Sequence, residues 1–145
     1  MKENVVLVYT GSDINMMIAE GGSGYWILGD SRRKEIEYLM AFKNDTQDWS
    51  ILEKNVPKGT AFFIAKISGY TKMLSGEFKG KYLIKFSEYA EIVIPNAWEK
   101  ARKDPRSSAA RQYRSMEYIR EVLQFEPSTL IWKPFIAAEN ANPQR

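Results

Sequence analysis

Arg102, Lys103, Arg106, Arg111 and Arg114 follow Trp98 within "WEKARKDPRSSAARQYRS" and are interrupted by a single acid, Asp104. Guanidinium forks engage phosphate oxygens in pairs, which the point charge of an ammonium does not. The run therefore reads either as a solvated helix and loop or as a surface laid against phosphates. Aromatic residues supply the other chemistry, because flat rings replace the stacking that a base loses when it leaves a helix. Trp49 stands among Thr46, Gln47, Asp48 and Ser50, a polar setting that suits a pocket or groove as readily as a core. Trp26, in the apolar stretch "GYWIL", is core packing or a pocket wall. Trp98 heads a charged helix as its hydrophobic anchor or as a stacking surface. Tyr70, in "SGYTK", is a loop aromatic or a ligand contact, and Trp132 in "LIWKP" reads as core. Ser31 is a small polar residue placed either to cap a helix or to face a ligand.

The composition removes most catalytic schemes. The 145 residues contain no Cys and no His, so Ser–His, Cys–His and zinc chemistry built on those ligands are excluded. Carboxylates, Lys and Tyr remain, together with Mg²⁺ held by oxygen ligands. No clustered acidic motif supports that last route, and no cofactor or metal is expected. Neither G-x-G-x-x-G nor a Walker A sequence is present, which argues against the nucleotide-binding folds built on them. A net charge of +3 permits an acidic partner without identifying one. The apolar run near the start stops at Tyr9, too short for a membrane span and wrongly flanked for a signal peptide. A cytoplasmic protein with no membrane partner is the expectation.

The elements that must position these residues follow from local signals, and the length fits one domain over 1–145. "VVLVYT" from Val5 to Thr10 reads as a buried strand, and Ser12 or Asp13 caps a short helix through "INMMIAE" that ends at Gly21-Gly22. "GYWIL" is the next strand. Asp30-Ser31 then caps a helix "RRKEIEYLMAF", on which Ile36, Leu39, Met40 and Phe42 recur at helical spacing. A turn at Pro57-Lys58-Gly59 leads into "TAFFIAKIS", too apolar for a strand with one wet face. "GYTKMLSGEFKGK" reads as an exposed, Gly-punctuated loop and "YLIKFSEYAEIVIP" as one or two strands. Asn96 caps "AWEKARK", Ser115 opens the helix "MEYIREVLQF", and "STLIWKPFI" closes the domain as a strand. Residues 137–145 form a flexible tail. Strands outnumber helices, which predicts an α+β domain on a small, mostly antiparallel sheet.

"GYWIL", a polar turn and helix, the isolated Trp of "DTQDWSI" and then "VPKGTAFFIAKISG" together resemble the EVE domains, relatives of the YTH domains in the PUA-like superfamily. "WEKARKDPRSSAARQYRSMEYI" followed by "FEPSTLIWKPF" resembles the Arg-rich segment and closing strand of that group, so the likeness runs from about Gly24 to Phe135. It departs at Lys58-Gly59-Thr60, where the family carries an acidic residue after the glycine. Residues 1–23 precede the matching part as a strand–helix extension.

The resemblance implies a small PUA-like β-barrel with flanking helices whose pocket takes a modified base flipped out of DNA or RNA. Trp49 and Ser31 match the pocket positions, with Trp26, Trp98 and Tyr70 as further wall residues, and the Arg-rich run on the phosphates. The expectation is a non-enzymatic nucleic-acid reader. Two alternatives stand beside it. Similarity to the ASCH group implies a small hydrolase of modified nucleosides, to which Thr71, Lys72 and Glu77 would contribute. The third reading is a protein-interaction module using the same aromatics.

Overall fold

The computed structural model describes residues 2–44, 56–102 and 109–139. Its first strand, β1 (Val5–Thr10), pairs in parallel with β3 (Tyr38–Lys43) and antiparallel with β6 (Arg111–Arg114). Val5, Val6, Leu7 and Val8 are all fully buried. Apolar layers on both faces of the strand explain why its sequence is a continuous β-branched run rather than an alternation. β1 falls in the expected strand–helix extension of residues 1–23, and it pairs between β3 and β6 inside the sheet.

α1 (Ile14–Glu20) follows the cap signals. The Asp13 carboxylate accepts from the Met16 N–H at 2.8 Å, and Gly21 at φ 91° ends the helix with its N–H on the Met17 carbonyl. The chain then passes so close to β5 (Tyr82–Ile94) that a Cβ on Gly22 would lie 2.1 Å from the Ile84 carbonyl oxygen. β2 (Ser23–Trp26) leads into α2 (Asp30–Glu35).

α2 is shorter than its sequence predicts, and the remainder of the expected helix is β3. Leu39, Met40, Ala41 and Phe42 are all fully buried between β1 and β4 (Ala61–Lys72). A strand with core on both faces is apolar at every position, so it mimics helical spacing, and two ladders of hydrogen bonds decide the matter. Ser31 is accordingly not a cap. The cap position is Gly29, which makes no side-chain capping hydrogen bond, and Ser31 sits exposed in the first turn.

β4 (Ala61–Lys72) and β5 (Tyr82–Ile94) form one long antiparallel hairpin, so Gly69–Lys72, expected in a loop, are the end of a strand. The loop proper is closed by the Met73 N–H on the Lys81 carbonyl at 2.9 Å. Register shifts near Ala61, Lys66 and Ile67 bend the hairpin, and the sheet curls into a half-barrel. Strand order is β2-β5-β4-β3-β1-β6, with β7 (Lys133–Pro134) also on β5. Among the described residues all pairings are antiparallel except β1 with β3. β6 was not anticipated, and the expected closing strand reduces to β7 after a 3-10 turn at Pro127–Thr129. The mixed α+β character on a mostly antiparallel sheet agrees with the expectation.

Two cores flank the sheet. On one face Val6, Val8, Leu39, Ala41, Phe63 and Ile84 meet Ile14 and Met17 of α1. On the other, Leu7, Met40, Phe42 and Ile64 meet α3 (Ala97–Ala101) and α4 (Met116–Leu123), the latter capped by Ser115. No helix among the described residues is long and apolar enough to cross a membrane.

Candidate functional site

Strand register gathers an aromatic group on the α1 face. Trp26 is the partner of Tyr82, Tyr82 also faces Lys72, and Tyr70 stands two residues from Lys72. Period-two alternation therefore puts Trp26, Tyr70 and Tyr82 on one side. The Tyr70 and Tyr82 rings meet edge to face, 6.4 Å apart at 84°. The Trp26 indole N–H donates to Ser23 Oγ at 3.1 Å.

α2 covers this group with arginines. The Arg33 guanidinium lies 4.2 Å over the Tyr82 ring and donates to the Leu28 carbonyl and to Asp30. The Tyr70 hydroxyl donates to the Arg33 carbonyl at 3.1 Å. Arg32 sits 3.9 Å over Tyr113 of β6 and pairs with Glu3 at 2.9 Å and Glu35 at 3.2 Å. Burial pushes Tyr70 up to about 12, against a smaller downward pull from Arg33. At neutral pH it is a phenol. The group thus combines ring faces with two guanidiniums poised over rings, which is equipment for binding a planar ligand. Among the described residues no cluster of three or more carboxylates could hold a metal ion.

Of the residues singled out from sequence, Trp26 and Tyr70 share this face, and Ser31 lies beside Arg32 and Arg33 on α2. Trp98 does not. It is 4% exposed in the opposite core, its ring parallel to that of Tyr9 at 4.8 Å and tilted against Phe42 at 5.1 Å. It anchors α3 and offers no open surface. Trp132 packs at the edge of the same core, its indole N–H on the Pro127 carbonyl. Trp49, Lys103 and Arg106 lie outside the described residues.

The basic run is divided by the strand it belongs to. Register places Arg111 opposite Val8 and Arg114 opposite Val5, so the two side chains leave opposite faces of the sheet. Arg114 donates to the Ala101 carbonyl at 2.9 Å, the Tyr113 carbonyl at 2.6 Å and Gln112 Oε1 at 2.5 Å, tying β6 to α3. Burial pulls its guanidinium below the ordinary arginine value. Arg102 pairs with Glu99 at 3.1 Å at the end of α3. Thr71 and Lys72, offered for hydrolysis, are consecutive in β4 and point to opposite sides, while Glu77 lies in the exposed loop beyond them.

Tyr82, Tyr113 and Arg33 escaped the sequence reading. Alternation within "YLIK" and "RQYR" hints at strands, but only the pairing register shows that these rings meet. No family model, no curated protein and no solved structure matches this chain.

Proposed function

We propose that this chain is a non-enzymatic nucleic-acid reader of PUA-like, EVE-like type, which holds an unstacked, modified base of DNA or RNA against Trp26, Tyr70 and Tyr82. The observation that carries the reading is the convergence of three rings and the Arg33 guanidinium on one sheet face. An extruded base needs π surfaces in place of its neighbours and polar groups for its edge. Rings provide the first, and Ser31, exposed on α2 two residues from Arg33, is a candidate for the second. Stacking contributes about 1–3 kcal/mol per base, so a pair of rings gives usable affinity. The curl of the sheet is in keeping with a barrel-derived fold. The hydrolase reading has less in its favour, because Thr71 and Lys72 diverge.

The test is a titration at low salt of single-stranded DNA and RNA oligonucleotides, each with and without base modification, against the wild-type chain and Tyr82→Ala. Binding that favours a modified strand and weakens about tenfold or more in Tyr82→Ala is the expected result. A wild-type chain that binds none of the strands ends the proposal. Salt-insensitive capture of a protein would instead favour an interaction module.

A further inference from the structure

Beyond the aromatic face, β2 delivers a second ring elsewhere. Tyr25, next to Trp26 in sequence, stacks on Phe78 of the β4–β5 loop with centroids 4.4 Å apart and planes 16° from parallel. Its hydroxyl donates to the Glu20 carboxylate of α1 at 2.6 Å. Tyr25 and Phe78 form one wall of a cleft of about 510 Å³ whose other wall is Met16, Ala19 and Glu20 of α1. That volume lies within the range of small-ligand sites.

Charge is concentrated beside the cleft. Residues 69–85 contain Lys72, Lys79, Lys81 and Lys85 against the single acid Glu77, a surplus equal to the +3 of the whole chain. None of these four lysines makes an ion pair among the described residues, whereas Arg32, Arg33, Arg102, Arg120 and Lys133 each face a carboxylate. Lys81 Nζ lies 5.7 Å from the Phe78 ring centre, and Lys79 is exposed next to Phe78 in the chain.

We propose that this cleft is a second nucleotide subsite: a base stacks on the Tyr25–Phe78 pair while Lys79 and Lys81 take its phosphates. The inference rests on the nucleic-acid reading above and moves the backbone grip from the Arg-rich run to the β4–β5 hairpin. The polarity of the cleft fits that orientation. Glu20 repels a phosphate from the α1 wall, and the lysines attract it at the loop rim, so the base goes inward and the backbone outward. β2 is the edge strand of the sheet, with Trp26 directed to the Tyr82 side and Tyr25 to Phe78. A single strand running along that edge meets both ring groups. Single strands suit such a site, since their bases are free to turn individually onto separate rings.

The test uses the full chain and a fluorescein-labelled ten-nucleotide single strand, as DNA and as RNA, titrated across a salt series. Four proteins are compared: wild type, Phe78→Ala, Lys79→Ala/Lys81→Ala and Tyr82→Ala, each checked by thermal melting. The expected result is about a tenfold loss of affinity in Phe78→Ala. The double lysine variant, which keeps the Tyr25–Phe78 stack and so serves if Phe78→Ala misfolds, should lower the salt slope by about 0.7 per lysine removed. Normal binding and normal slope in both, with Tyr82→Ala weakened, overturns the second subsite and leaves the reader standing. No binding by the wild type to either strand overturns both.

Discussion

The Tyr70 hydroxyl and the Arg33 backbone carbonyl join β4 to α2 across 3.1 Å, and the guanidinium of the same arginine lies 4.2 Å over the Tyr82 ring. One hydrogen bond thus fixes how the arginine-bearing helix sits over the aromatic face. Tyr70 was expected in an exposed loop, where such a bond would have little to hold. In the strand it sets the geometry of the candidate site.

Replacing Tyr70 with Phe removes that bond and leaves the Arg33 carbonyl short of a donor, at a cost of about 1 kcal/mol in urea unfolding. The pH dependence has a definite sign. Burial raises the folded-state value to about 12 from 10.0, so between these limits the folded chain binds the proton more tightly than the unfolded one. Stability is insensitive to this group below pH 10 and falls as pH rises from about 10 to about 12. Urea midpoints across that range should decline for the wild type and decline less for Tyr70→Phe. Parallel curves would show that Tyr70 ionises as it does in the unfolded chain.

Trp98→Ala tests the separation of core from site. Removing a ring packed between Tyr9 and Phe42 should cost about 3–5 kcal/mol and lower the melting temperature strongly. Oligonucleotide binding by whatever fraction remains folded should keep the wild-type affinity, because Trp98 lies across the sheet from Trp26, Tyr70 and Tyr82. A stable Trp98→Ala chain that loses base preference would reinstate the residue as a ligand contact.

Arg114→Ala provides the corresponding check on the basic run. Three internal acceptors lose their donor, so stability should fall by roughly 1–3 kcal/mol while the salt slope of nucleic-acid binding stays put. A slope lower by about 0.7 with unchanged stability would mean that Arg114 reaches a phosphate after all.

What the sequence discloses and what it hides divide along a physical line. β1, α1 and α4 are legible because their determinants are local: a β-branched run, the Asp13 and Ser115 caps, and Gly21. The stretch from Ile36 to Phe42 misleads because burial on both faces erases the period that distinguishes strand from helix. β6 is hidden beneath charge, its alternation carried by Arg and Tyr rather than by apolar residues. Trp26 and Tyr70 could be named from residue type, but their meeting with Tyr82, Tyr113 and Arg33 depends on a register set by distant strands and on where α2 comes to rest. Trp98 shows the converse. A charged helix around a tryptophan leaves open which face it turns inward, and only the neighbouring Tyr9 and Phe42 decide.

The position of β1 also bears on how the chain reaches this state. Val5 pairs on one side with Tyr38 and on the other with Arg114, 109 residues further along the chain. During synthesis β1 is made before β6 and waits for that partner until β2 to β5 and α1 to α3 have been made. Closing so long a loop is entropically slow, and an uncovered strand edge recruits other chains in the meantime. The sheet therefore stays vulnerable to aggregation until β6 arrives, and the polar edge that Arg111–Arg114 then lays over β1 ends that exposure.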